Sequence, residues 1–272
     1  MILPYRRAAS TSFAPFSQIL FIAFLIGVTG CAAVTPPAPQ LPVPQWESGK
    51  LIESLTQRDK QLQSLRALAR VDYAGPEGKH GFQEAVVVQR PDRLRLETLT
   101  LLGAVLIFTA NSKEIVGYHP RDGVFVRGRP SKENLRRYTQ IPLDLPDVTT
   151  LLMGLPPVET DVPWNQEGNA LIFSPSGHKK DAVAFESQQP VPTKWERFDG
   201  DGKIELSARF SDYVSTPAGL FPTRVVFEAP LQKKKVEIRY EEPNVNGGTS
   251  PDLFTQQKPA NVQEVPIEAI GS

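Results

Sequence analysis

Few side chains in this sequence are able to do acid–base, metal or nucleophilic work, and their spacing argues against all three. His80, His119 and His178 lie far apart, in or beside expected turns, without the i, i+4 or cysteine partners that a metal centre requires. No serine sits in a G-x-S-x-G turn. Asp199 and Asp201 are near neighbours, but they share a turn with Gly200 and Gly202, where carboxylates ordinarily face solvent rather than act as general acid and base. Lys233, Lys234 and Lys235 form a run of like charge between two strands, which fits either an edge protected from aggregation or a contact with anionic lipid. Thirty bases balance thirty acids, so nucleic acid has no electrostatic case as a partner. We therefore expect no enzyme, no catalytic residue and no metal. What remains is Cys31, the only cysteine in the chain, and a lone thiol calls for an explanation.

The residues before Cys31 supply one. Arg6 and Arg7 form a short basic region, and the apolar run from Phe13 to Gly27 is too brief for a comfortable bilayer span, as in a secretory signal. Val28, Thr29 and Gly30 then lead directly to Cys31, which resembles the lipobox of bacterial lipoproteins. The resemblance implies removal of residues 1–30, a covalent lipid on Cys31 in place of any other cofactor, and a periplasmic domain. The other reading is a chance cysteine after an uncleaved anchor. Ala32 and Ala33 follow, without the aspartate that retains sorted lipoproteins in the inner membrane, so the resemblance implies the outer membrane. Loss of the first thirty residues removes two arginines and no acid, for a formal charge of −2. Residues 31–45 hold Pro36, Pro37, Pro39, Pro42 and Pro44, an extended, semi-rigid tether reaching on the order of 40 Å.

Beyond the tether, one stretch organises the rest. Arg93–Thr100 alternates Leu94 and Leu96 with charged residues, a strand with one buried face, and a second strand follows at once through Leu101, Leu102 and Gly103. Gly103 suits a turn. Two leucines at a hairpin tip do not, because such tips favour Gly, Asn, Asp or Ser. Either the tip folds back onto a core, or it is an apolar finger aimed at a membrane.

The neighbouring elements follow from periodicity. Leu51, Ile52, Leu55, Leu62 and Leu65 predict an amphipathic helix over 47–68. Strands are predicted from Ala67 to Tyr73, after a turn over 75–81 from Phe82 to Gln89, then 93–100, 104–110, 114–119 and 124–127. Short loops make consecutive strands antiparallel neighbours. Ser131 caps a short helix, and a second one starts at Pro146 and ends at Gly154; together they would plug one face of the sheet. Strands resume at 170–173, 182–185, 194–198, 204–210, 221–228 and 236–240. The residues after Pro259 lack periodicity and are expected to be a mobile tail.

This order resembles the outer-membrane lipoprotein receptor family LolB and related uncharacterised lipoproteins. The carriers are Leu101-Leu102-Gly103, Ile141-Pro142-Leu143, Met153-Gly154-Leu155-Pro156, Leu220-Phe221-Pro222-Thr223 and Asn244-Val245-Asn246. The resemblance covers most of 46–259, leaving 260–272 as the tail. It implies a mainly β (α+β) domain: an unclosed antiparallel β half-barrel of about 11 to 12 strands with an N-terminal helix and two short plug helices. It also implies an apolar cavity for the acyl chains of other lipoproteins, a periplasmic carrier that delivers them, and a loop facing outer-membrane lipid at Leu101, Leu102 and Gly103. The residues expected to point inward are Val86, Val88, Leu94, Leu96, Leu106, Phe108, Val148, Leu151, Leu206, Phe210, Phe227 and Ile238. They would line that cavity or make a filled core. The long tether and C-terminal extension depart from the receptor. A structural or adaptor lipoprotein without cargo transfer is the alternative.

Overall fold

The computed structural model describes residues 45–139, 142–174 and 180–269. The signal segment 1–30, Cys31, the tether as far as residue 44, Ile141 and His178 lie outside the described residues. The first element is helix α1 (Ser48–Gln61), which buries Leu51 and Leu55. It stops well short of the expected Leu68. Leu62 takes extended dihedrals, and the Asn246 carboxamide accepts the Gln63 and Ser64 N–H groups at 2.9 and 3.2 Å, drawing the chain into a strand. Leu62 and Leu65 are still buried, but at the start of the sheet and not on a helical stripe.

Two meanders follow. The first is β1 (Ser64–Gly75), β2 (Gly78–Gln89), β3 (Arg93–Thr100), β4 (Gly103–Ala110), β5 (Ile115–His119) and β6 (Val124–Gly128). Helices α2 (Lys132–Thr139) and α3 (Leu145–Leu152) then carry the chain to the far edge, where the second meander begins. It comprises β7 (Trp164–Glu167), β8 (Ala170–Phe173), β9 (Lys180–Phe185), β10 (Pro192–Phe198), β11 (Ile204–Thr216), β12 (Gly219–Ala229) and β13 (Lys234–Val245). β13 pairs antiparallel with β1, Ala69 opposite Tyr240, and this seam joins the meanders into one unclosed sheet. The expected half-barrel is therefore present, with 14 strands among the described residues.

Two strands were not foreseen. β7 has no apolar alternation and exists through its register with β8, Trp164 opposite Phe173. The second, β14 (Gln263–Pro266), overturns the expectation of a mobile tail: it pairs parallel with β6, and Ile267 just beyond it is fully buried. Its reason is remote. Gly128 on β6 lacks the Cβ that would overlap Ile267, and the preceding strap is fastened by long-range bonds. Arg95 Nη1 donates to Leu253 O at 3.0 Å and Asn111 Nδ2 to Phe254 O at 2.8 Å, while Gln256 Nε2 donates to Ile107 O at 3.1 Å. Several hairpins are also longer than expected. The β1–β2 turn is only Pro76–Glu77, which places His80 inside β2.

The helices cover the sheet's inner face. Asp144 caps α3 by accepting the Asp147 N–H at 3.0 Å, and Ser131 Oγ accepts the Asn134 N–H at 3.1 Å before α2. α3 rests against β2 and β3, with Thr149 Oγ1 donating to Pro91 O at 2.5 Å, and Tyr240 Oη on β13 donates to Leu152 O at 2.9 Å. α2 lays Tyr138 against Phe108, and its hydroxyl fits over β5 because residue 117 is glycine.

Candidate functional site

The β3–β4 hairpin excludes one of the two readings of its tip, the fold back onto a core. Thr100 pairs with Gly103, so the loop is Leu101 and Leu102 alone, and Gly103 adopts φ +102°, a conformation open to glycine. The Thr100 hydroxyl ties the turn together. It donates to Gly103 O at 2.9 Å and accepts from Leu102 N at 3.3 Å, and Arg121 Nη2 on the β5–β6 turn reaches it at 3.1 Å. A register shift between Thr98 and Leu99 bulges the hairpin just below the tip, which adds local twist. The outcome is unambiguous: Leu101 is fully exposed and Leu102 is 87% exposed. Burial of each would contribute about 1.5 to 3 kcal/mol, and the fold leaves that stabilisation unused.

Of the twelve residues expected to point inward, ten lie on the strands' inner face, and Val148 and Leu151 lie on α3, which packs against it. Val86, Val88, Leu94, Phe108, Leu151, Leu206, Phe210 and Phe227 are buried in one continuous cluster, and Leu96, Leu106, Val148 and Ile238 pack against it. α3 sits among them through Leu151 and Leu152.

Beside this packed region lies a cavity of about 490 Å³ between α3, the β2–β3 turn, the segment after α3 and strands β8 to β10. None of the twelve lines it. Its wall is polar and includes Arg197, 9% exposed. The guanidinium donates through Nε to Asp181 Oδ1 at 2.9 Å, through Nη1 to Asp147 Oδ2 at 2.7 Å and through Nη2 to Pro157 O at 2.9 Å. Trp195 Nε1 donates to the same Asp181 oxygen at 3.0 Å, and the guanidinium lies 4.9 Å from the Trp195 ring. Burial pushes the Asp147 carboxyl up, against the pull of Arg197. Such an assembly ties α3 to the second meander, and its charge makes it a poor seat for an acyl chain.

Sequence reasoning passed over Arg197 and Glu84, although the signal was present. In β10 the alternation that turns Trp195 inward also turns Arg197 inward, and in β2 Glu84 shares the face of Val86 and Val88. Glu84 is 5% exposed, accepts the Thr98 hydroxyl at 2.9 Å, and has its pKa pushed up to about 7, chiefly by burial. His80 stacks on Tyr73 at 6.3 Å and His119 on Tyr138 at 6.4 Å. Among the described residues no cluster of three or more His, Cys, Asp or Glu could hold a metal, and no helix is long and apolar enough to cross a membrane.

No family model and no curated protein sequence matches the chain. Solved structures do. A DUF1329 family protein from Desulfovibrio piger superposes with a TM-score of 0.57 at 10% identity, covering 76% of this chain and 96% of the other. A domain described as an outer membrane lipoprotein-sorting protein from Vibrio parahaemolyticus gives 0.54 at 12% identity, covering 76% and 97%. A LolA superfamily protein from Nitrosomonas europaea gives 0.51 at 12% identity, covering 75% and 96%. At these identities the likeness establishes the fold, which is the LolB-like lipoprotein fold that the sequence resembles.

Proposed function

We propose that the chain is a lipoprotein anchored in the outer membrane through Cys31, which binds acyl chains on the inner face of its half-barrel and helps receive and insert other lipoproteins. The single observation that carries this reading is the bare leucine pair on a short, tied hairpin. A rigid strand pair that ends in two exposed leucines suits a body that must reach into an apolar layer. The half-barrel architecture and the continuous apolar inner face add support. In this reading the partners are lipoprotein acyl chains, a periplasmic carrier and outer-membrane lipid, and the chain needs neither catalytic residues nor a metal.

Attachment does not depend on the tip. Each methylene of an acyl anchor contributes about 0.8 kcal/mol, so lipid on Cys31 outweighs two leucines. The tip's role is local, at the step where cargo enters the membrane. Cargo binding requires α3 to yield, because its leucines occupy the space among the inner-face residues. That packed interior favours a second reading, an adaptor lipoprotein with no cargo. Leu102→Glu separates the two in a reconstituted transfer assay. Under the first, the variant stays on the membrane while transfer of an acylated lipoprotein falls about tenfold or more, as expected when one buried leucine contact is lost and a charge must approach lipid. Unchanged transfer removes the tip from the mechanism.

A further inference from the structure

The strand directions place several turns at one end of the sheet. Leu101 and Leu102 close β3–β4 there, Pro76–Glu77 closes β1–β2, and the turn Pro230–Gln232 closes β12–β13. That last turn carries Leu231, 60% exposed, followed at once by Lys233, Lys234 and Lys235. Behind it, the outer face of the sheet is charged in rows. Arg70 stands opposite Arg239, and Arg239 opposite Arg224, so three arginines lie side by side on three strands. One step nearer the turns Asp72 faces Glu237, and beyond them Lys235 faces Glu228 while Lys79 lies in the same row.

Like charges placed directly opposite one another in a sheet destabilise it, so folding alone does not favour such rows. Each carboxylate here already holds two cations: Asp72 holds Arg70 and Arg239, Glu237 holds Arg224 and Arg239, and Glu228 holds Arg209 and Lys235. With Lys79, which has no ion-pair partner among the described residues, and with Asp212 acting on Arg224, six bases meet four acids, an excess of two. Lys234 on the adjoining strand favours the charged form of Glu77 at the β1–β2 turn. The protein as a whole has no net formal charge, so the excess is a local feature. A groove of about 540 Å³ opens here, lined by Arg70, Lys79, His80 and Lys235 together with Asp72 and Glu237, each of which already holds two arginines. Among the described residues the C-terminal strap bonds to the far ends of β1 and β2 and to β3 to β6, and makes no hydrogen bond at this end of the face.

We propose that the outer face of β2, β1, β13 and β12, where it meets the turns, binds the phosphate headgroups of anionic phospholipid, with Leu231 entering the layer beside them. Excess cations around a headgroup-sized groove, next to an exposed leucine, match the phosphate and the acyl boundary of one lipid surface. Through Leu231 the site gives the molecule a second apolar contact, which β2 and β1 separate from the leucine pair, and so sets its orientation on the membrane. It rests on the reading that this end of the sheet faces lipid.

The test uses the chain from residue 31 onward carrying Cys31→Ser, so that no acyl group contributes, mixed with vesicles of phosphatidylcholine alone or of phosphatidylcholine with phosphatidylglycerol. Co-sedimentation at low salt is expected to favour the phosphatidylglycerol vesicles about tenfold or more, with loss at high salt, and Lys79→Glu with Lys233→Glu to remove that preference. Both positions are exposed, and circular dichroism matching the parent chain confirms that the variant folds. Leu102→Ser, which adds no charge, should weaken binding to both vesicle types by the same factor and leave their ratio intact. A ratio near one for the parent chain, or a ratio untouched by the charge reversals, overturns the headgroup site. A preserved ratio without acyl transfer would instead count against the proposed function and leave this site standing.

Discussion

At the scale of single residues, the exposed leucines and the buried ions are the two departures from what stability alone would favour. Leu101 and Leu102 stand in water at the tip, whereas Glu84 and Arg197 stand out of it. Arg197 is answered by Asp147 and Asp181, so its burial is offset by three hydrogen bonds. Glu84 has only the Thr98 hydroxyl, with Glu97 nearby opposing its ionisation, and it keeps its proton to about pH 7 instead of the ordinary 4.5. The sign of the linkage follows. Between those two values the folded chain binds more protons than the unfolded chain, so stability falls as pH rises and is lowest above pH 7, where the fold carries a buried carboxylate at a cost of about 3 kcal/mol. Glu84→Gln should therefore match the parent near pH 5 and exceed it by about 2 to 3 kcal/mol near pH 8 in urea denaturation. Equal pH profiles for the two proteins would mean that Glu84 is ionised in the folded state.

At the scale of elements, the C-terminal segment is the clearest case of structure made by a distant partner. Ile267 is buried against β6 where Gly128 leaves room, and β14 completes that edge. Ile267→Ala should destabilise this docking by about 2 to 5 kcal/mol, read as faster amide hydrogen exchange at Val124–Gly128 while the β1–β13 seam keeps its protection. Uniform loss of protection would instead make the strap part of one cooperative unit. The contrast with the β3–β4 hairpin explains what could be read from sequence. That hairpin, the Ser131 cap and the start of α3 depend on neighbours within a few residues, so periodicity and capping chemistry were sufficient to place them. β7 and β14 are short, lack apolar alternation and depend on strands far away in the chain. The end of α1 was misplaced for the same reason, since Leu62 and Leu65 continue the helical spacing and only Asn246, remote in sequence, ends the helix. The inward direction of the ten strand residues was legible because alternation sets a face, and that of Val148 and Leu151 because helical spacing does. That two short helices would plug one face was legible as well, whereas which inner-face residues α3 meets was not, because alternation does not fix where a helix docks.

At the scale of the molecule, the half-barrel places unlike surfaces in separate regions: an apolar inner face under two helices, a polar cavity where α3 meets the second meander, and a set of turns with exposed leucines beside a basic outer face. The proposed function requires that the inner face admit an acyl chain when α3 moves, and this is the claim on which the account turns. Native mass spectrometry of the chain from residue 31 onward with Cys31→Ser, incubated with an acylated lipoprotein peptide, tests it most directly. The account predicts a one-to-one complex that survives desalting and is lost when the peptide carries no acyl group. A bare polypeptide mass under the same conditions, with the inner-face amides equally protected from hydrogen exchange before and after the peptide is added, would contradict it.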